Sequence, residues 1–313
     1  MRTVSGDDIA RVLTYAGLVE ALRDAFRSDI VVPVRHHYAL PQPSADGTLL
    51  VMPAWTASPG FVGCKIVTVC PDNLAVDVPS VQGTYLLMSG TTGEPLAVMD
   101  GGTLTAWRTG AASALAASYL ARSDASHLLM VGAGALGIHL VRAHAAVRPV
   151  RRVTLWNRTR ARAGRLAAAL APDGFAVSVT DDLEAAVREA DVISCATLST
   201  VPLIQGAWLA RGAHVDLVGG FAPHMREADD MAIMRSRLYV DTRDGVREAG
   251  DIASPLARGI IGDADIRGDL FDLCRGTTEG RTSADEITLF KSAGTAIEDL
   301  AAAMLAWTRL GAP

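Results

Sequence analysis

The 313-residue chain is poor in cysteine and in aromatic side chains, and it has no long uninterrupted apolar run. Its four cysteines (Cys64, Cys70, Cys195, Cys274) form no CxxC pair. That spacing argues against a zinc site and against a disulfide framework, so they read as buried thiols and no metal ligands are expected. Aromatics are 5% of the residues, and the abundant alanine suits helices packed tightly on a sheet. No apolar run is long enough to span a bilayer, so no membrane association is expected. Positive charge is not in excess: 29 Lys and Arg stand against 34 Asp and Glu, a net charge of −5, which gives no reason to expect nucleic acid as a partner. The first residues, Met1-Arg2-Thr3-Val4-Ser5-Gly6-Asp7-Asp8, lack the apolar core of a secretion signal, and a cytoplasmic location is expected. With 50% hydrophobic and 20% charged residues, the balance is that of a soluble globular protein with one large or two smaller domains.

What the chain does have is concentrated in residues 127–160. The apolar run Leu128-Leu129-Met130-Val131 reads as a buried strand. The turn Gly132-Ala133-Gly134-Ala135-Leu136-Gly137 follows, then a helix with Ile138, Leu140, Val141 and Ala145, then a second strand at Val153-Thr154-Leu155-Trp156. This βαβ unit frames a dinucleotide fingerprint. Gly132 allows the tight turn, Gly134 lets the backbone approach a pyrophosphate, and Gly137 lets helix and strand pack closely. The first N–H groups of the helix then face the phosphates, which makes Ala135 and Leu136 cofactor candidates. The second strand runs into Asn157-Arg158-Thr159-Arg160, where an NAD enzyme usually places a carboxylate on the ribose hydroxyls. A guanidinium there suits a 2′-phosphate, so NADP(H) is the expected cofactor and NAD(H) the alternative.

Around this core the pattern is α/β. Ser5 with Asp8 marks a helix start, and Leu18, Leu22, Ala25 and Phe26 form the stripe of the next helix. From residue 31 to 100 the period is two, with strands around Val32 and Val34, Leu49 and Val51, Val62 to Val69, Thr84 to Met88 and Leu96 to Met99. The stretch Ser89-Gly90-Thr91-Thr92-Gly93-Glu94 is a hairpin turn. A helix over 104–120 leads into a doubly wound Rossmann region, and the stretch 286–310 reads as one long helix. The expected domains are 1–120, an α+β substrate and dimerisation domain on which 287–313 packs back, and 121–286, the nucleotide domain. The N-terminal sheet looks too small to bury itself, which predicts a homodimer.

Several motifs resemble the ornithine cyclodeaminase/μ-crystallin family along nearly the whole chain. They are Gly63-Cys64-Lys65-Ile66-Val67, Gly83-Thr84-Tyr85-Leu86-Leu87, Leu104-Thr105-Ala106-Trp107-Arg108-Thr109-Gly110-Ala111, the glycine-rich turn, Val218-Gly219-Gly220-Phe221-Ala222-Pro223-His224-Met225-Arg226-Glu227, Glu248-Ala249-Gly250-Asp251 and Thr288-Leu289-Phe290-Lys291-Ser292-Ala293-Gly294-Thr295-Ala296. The resemblance implies a homodimer with an N-terminal catalytic domain completed by the C-terminal helix. The family includes ornithine cyclodeaminases, alanine dehydrogenases, reductases of cyclic imino acids and a thyroid-hormone-binding lens protein.

By this resemblance Arg35, Lys65 and Arg108 match positions that bind the carboxylate of a small α-imino or α-amino acid, with Lys65 and Arg108 the catalytic candidates. Their settings agree. Lys65 lies in an otherwise apolar strand, and Arg108 sits in an Ala-rich helix where a buried guanidinium needs an anion. For Lys65 a structural ion pair is the alternative. His36 and His37 read as surface residues. Thr84 matches a position near the nicotinamide. Thr197, Val218 and Gly219 are further cofactor candidates, and Phe221 and Gly294 further substrate candidates.

True ornithine cyclodeaminases carry an Asp at the position of Phe221. A phenyl ring moves no proton, so deaminating cyclisation lacks its acid/base residue. Asp216, within a strand, and His224 and Glu227, facing solvent, are weak substitutes. The reading is an NADPH-dependent reductase of Δ1-pyrroline-2-carboxylate or Δ1-piperideine-2-carboxylate, giving proline or pipecolate. Ornithine cyclodeaminase, alanine dehydrogenase and a non-catalytic, NADP-dependent ligand-binding protein are the alternatives.

Overall fold

In the computed structural model of the chain, the Ser5 side chain accepts from the Asp8 N–H and Asp8 accepts in return from the Ser5 N–H. This capping box starts α1 (Gly6–Val12). Thr14 caps α2 (Tyr15–Arg27), whose buried stripe is Leu18, Val19, Leu22, Ala25 and Phe26. The structure describes residues 1–43, 46–58, 60–70, 72–73, 78–79 and 81–311. The chain divides into two compact units: Met1–Arg108 with Thr295–Pro313, and Thr109–Gly294.

The first unit holds a sheet of β1 (Arg2–Val4), β2 (Ile30–Val31), β3 (His36–Leu40), β4 (Gly47–Thr56), β5 (Phe61–Val69), β6 (Val81–Ser89) and β7 (Pro95–Asp100). The order is β1-β7-β6-β5-β4-β2, with β3 also on β4. The neighbours are antiparallel except β1, which runs parallel to β7. Alternation sends Met52, Ala54, Lys65, Val67, Tyr85, Leu87, Ala97 and Met99 to one buried face. That face is covered by α10 (Ala296–Arg309), on which α2 packs. The other face presents Val51, Pro53, Trp55, Val62, Cys64, Leu86, Met88, Leu96 and Val98 half-buried, and Ile66 is 45% exposed. Val32 and Val34 are not in strands. β2 ends at Val31 because Pro33 has no N–H to give a ladder, and Val34 is 72% exposed.

The second unit is doubly wound. Its elements are β8 (His127–Val131), α4 (Ala135–Val147), β9 (Arg152–Trp156), α5 (Arg160–Leu170), β10 (Ala176–Val179), α6 (Leu183–Glu189), β11 (Val192–Cys195), β12 (His214–Leu217), α7 (Asp230–Arg235), β13 (Arg237–Val240), α8 (Gly250–Ala257), β14 (Ile266–Asp269), α9 (Leu270–Arg275) and β15 (Thr288–Lys291). Eight strands run in the order β10-β9-β8-β11-β12-β15-β13-β14, all parallel. Strand order reverses between β8 and β11, the crevice where such sheets take ligands.

The expected helix over 286–310 is two elements. Thr288-Leu289-Phe290-Lys291 is β15, buried at every position and paired with β12 and β13. Gly294, with φ +78°, then turns the chain into α10. A buried parallel strand needs no alternation, so this short run carries no strand signal of its own. On the other side α3 (Gly101–Leu120) is one helix starting earlier than expected. The division of the chain falls inside α3, after Arg108, and again before Thr295, instead of at 120/121 and 286/287.

Candidate active site and dinucleotide cradle

At the end of β8, Gly132 has φ +106°, and a Cβ there would lie 2.5 Å from the Ala196 carbonyl. Only glycine fits that turn. Gly134 is the N-cap of α4 and has open space where a side chain would be, so a phosphate has room to approach. Ala135 and Leu136 open the helix, where N–H groups lack intrahelical partners. Gly137 is needed for a contact with α5: a Cβ there would meet Leu166 at 2.9 Å.

At the end of β9 the Asn157 carboxamide oxygen accepts from the Ala133 N–H (3.0 Å), so Asn157 is committed to holding the glycine turn. Thr159 caps α5 without a side-chain bond. Arg160 pairs with Asp181, both exposed. Arg158 is exposed and makes no hydrogen bond or ion pair among the described residues.

The ends of β11 and β12 are joined by one carboxylate. Glu227 Oε1 accepts from Thr197 N–H (2.6 Å) and Oγ1–H (2.8 Å), and Oε2 accepts from Gly219 N–H (2.7 Å). Val218, just before, donates its N–H to Cys195 (2.8 Å). Glu227 is fully buried, contrary to the expectation that it faces solvent, because it satisfies the backbone N–H groups of two loops. Burial pushes its carboxyl up, and Lys291 opposes the shift. Behind it Asp251 Oδ1 accepts from the Glu227 and Ala228 N–H groups, and Oδ2 lies 3.4 Å from the buried Lys291 ammonium. Asp216 is buried in β12, bonded to Ser113 and Ser194 and 3.1 Å from His144. His224 and Phe221 are exposed, Phe221 by 43%. Gly294 is a turn residue whose N–H donates to Asp241 (2.6 Å).

The first unit brings Lys65 and Arg108 together. Lys65, on β5, is 2% exposed, and Arg108, on α3, is 6% exposed. The anion that a buried guanidinium requires comes from α10. Asp299 Oδ1 accepts from Lys65 Nζ (3.0 Å) and from Arg108 Nε (3.0 Å), and Glu298 Oε2 accepts from Arg108 Nη1 (2.5 Å). Thr105 Oγ1 lies 3.4 Å from Lys65 Nζ. Burial pulls the Lys65 ammonium down to about 8 from 10.5, with Arg108 adding to the shift and Asp299 and Glu298 opposing it. Beside Lys65 in the sheet register stands Tyr85, whose buried hydroxyl has no hydrogen-bond partner among the described residues. A Cβ at Gly63 would fall 1.8 Å from that hydroxyl, which explains the glycine of the Gly63-Cys64-Lys65 motif.

Thr84 does not join this cluster. It is exposed on the opposite face of the sheet, as the alternation from Tyr85 requires. Arg35 is half-buried in the irregular connection before β3, and His36 and His37 are exposed on β3. Glu298 and Asp299 were not foreseen, nor were the backbone-holding roles of Glu227 and Asp251. The available signal was a pair of carboxylates inside the apolar Ala-Ile-Glu-Asp-Leu-Ala run of α10. Among the described residues no helix is long and apolar enough to cross a membrane.

A sequence model described as the ornithine cyclodeaminase/mu-crystallin family matches residues 4–311. The chain belongs to that family. Relatives include a Delta(1)-pyrroline-2-carboxylate reductase of Colwellia psychrerythraea, 36% identical, with 97% of each chain covered. Among solved structures, the Delta(1)-pyrroline-2-carboxylate reductase of Thermococcus litoralis in complex with NADH and L-proline superposes with a TM-score of 0.94 at 31% identity, covering 99% of this chain and 97% of that one. An archaeal alanine dehydrogenase dimer with bound NAD gives 0.90 at 28% identity, covering 98% and 95%. Both of these solved structures hold a nicotinamide dinucleotide, NADH in the first and NAD in the second.

Proposed function

We propose that the protein is a reductase of cyclic imino acids, turning Δ1-pyrroline-2-carboxylate into proline and Δ1-piperideine-2-carboxylate into pipecolate. The observation that carries the choice within the family is Phe221. The carboxylates nearest Phe221 in sequence are held elsewhere: Asp216 in a buried network and Glu227 on the backbone of two loops. Deaminating cyclisation needs an acid/base group that takes and returns protons at the substrate amine over several steps, whereas reduction of a preformed imine needs a single proton on the ring nitrogen.

The dinucleotide, when bound, supplies the hydride. Lys65 and Arg108 hold the substrate carboxylate, which fixes the neighbouring imine carbon. Lys65 donates a proton to the ring nitrogen, and its ammonium, at about 8, is suited to that. Two cations and two carboxylates make the buried cluster neutral before the substrate carboxylate arrives. The test is NADPH or NADH consumption against a panel of cyclic imino acids, pyruvate with ammonia, and ornithine with NAD.

NADPH is the preferred cofactor in this reading. The support is the absence of a carboxylate at the end of β9 and the unpaired Arg158 beside the glycine turn. Replacing Arg158 by Asp should weaken NADPH by roughly 10- to 100-fold, the worth of a charge-assisted hydrogen bond, and spare NADH. A titration in which the unmodified protein binds NADH more tightly than NADPH would reverse the assignment.

The working form is a homodimer joined through the apolar outer face of the first unit's sheet, around Ile66, Leu86 and Val98. A monomer leaving that face in water would carry an unusual apolar patch. Light scattering at micromolar concentration should read twice the chain mass, and Ile66→Glu should shift it towards one chain. A single-chain mass for the unmodified protein would refute the dimer.

A further inference from the structure

Lys65 and Arg108 are not independent cations. Asp299 Oδ1 takes a hydrogen bond from each, at 3.0 Å, and Oδ2 lies 2.8 Å from Lys65 Nζ. Arg108 is tied a second time, to Glu298. The ionisable groups that face Lys65 are Asp299 and Glu298 from α10, Arg108 from α3 and Tyr85 from β6, while β4 brings only Met52 opposite it. Two cations this close, cut off from water, repel strongly enough for one to give up its proton. Arginine holds its proton in proteins, so the loss would fall on the lysine.

We propose that Asp299 is a positioning residue of the reductase: by bridging Lys65 and Arg108 it fixes the spacing of the carboxylate clamp and keeps Lys65 protonated beside Arg108. The proposal rests on the reading of those two cations as the clamp. Asp299 itself is fully buried, so it acts through Lys65 and Arg108. Its place in the first turn of α10 ties the C-terminal helix to a sheet strand 234 positions earlier in the chain, through Lys65. Neutral Lys65 would hold a carboxylate weakly and could not protonate an imine, so the charge on Asp299 sets the alkaline limit of turnover.

The test compares kcat/KM for Δ1-pyrroline-2-carboxylate at saturating NADPH, from about pH 6 to about pH 10, in the wild type, Asp299→Asn and Lys65→Arg. The wild type should lose activity as pH rises through about 8. In Asp299→Asn that fall should move at least about one pH unit towards acid, because a counter-charge within a few ångströms is gone. Its deficit should then be several-fold larger near pH 8 than near pH 6. Lys65→Arg should lower turnover at every pH and flatten the alkaline fall of what remains, since a guanidinium neither titrates there nor gives up its proton. A deficit in Asp299→Asn that is the same at every pH would reduce Asp299 to a structural support and overturn the proposal. A wild-type alkaline limb retained in Lys65→Arg would overturn it as well, because Lys65 would not be the group whose charge Asp299 maintains, and that readout stands whether or not Asp299→Asn folds. A wild type that reduces no cyclic imine would remove the activity itself, an outcome distinct from an active wild type with an unshifted variant.

Discussion

Arg108→Leu should lose roughly 30- to 4,000-fold in kcat/KM, corresponding to about 2–5 kcal/mol for truncating one side of a desolvated charge pair. Binding of NADPH should survive largely intact, because the glycine turn and the end of β9 contain none of the residues disturbed. The buried surroundings add a second effect. Without the guanidinium, Glu298 and Asp299 share a single remaining cation, and a buried charge left without its partner costs about 3–5 kcal/mol of stability. Loss of fold and loss of clamp must therefore be separated. Arg108→Leu combined with Glu298→Leu restores neutrality around the intact Lys65–Asp299 pair, so its melting temperature should recover relative to the single variant. Its turnover should not. Normal kcat/KM in folded Arg108→Leu would exclude the clamp.

The other large effect is a ratio of two activities in one preparation. Reduction of the cyclic imine with NADPH should proceed readily, and formation of proline from ornithine with catalytic NAD should be near background. The reason is local. Phe221 offers no proton, Glu227 accepts from four groups on two loops, and Asp216 is held in its ionised form by His144 and Ser194 despite complete burial. Phe221→Asp should weaken binding of the ring and introduce a trace of ornithine deamination. Efficient ornithine cyclisation by the unmodified protein would overturn the assignment and restore the family's founding activity.

These residues differ in how well the sequence announced them. The glycine turn was legible because its physics is local: Gly132 needs a positive φ whatever surrounds it, and the strand and helix on either side are contiguous. Lys65 and Arg108 were legible as charges out of place in apolar elements. Their partners were not. A Glu-Asp pair in an amphipathic helix normally faces water, and only the packing of α10 on β5 turns it inward. Glu227 was hidden for a similar reason, since its role is to satisfy backbone N–H groups that no side-chain pattern reveals. β15 was misread because four buried residues without alternation, followed by an alanine-rich stretch, look like the first turn of a helix. Val32 and Val34 failed in the opposite sense: the alternation was present, but Pro33 interrupts the ladder.

The position of β15 also has a consequence for how the protein is made. β12 and β13 lie on either side of it and touch each other only through it. During synthesis β12 therefore leaves the ribosome with one edge unpaired and β13 with both until β14 joins it, and each keeps an open edge for roughly several seconds, at ordinary elongation rates, until residues 288–291 follow. β13 and β14 alone make a two-stranded ribbon, which is marginal in water. The nascent chain thus carries two open parallel edges that attract each other or a neighbouring polypeptide. Chaperone dependence is the expected signature, and slower translation after residue 240 should aggravate it.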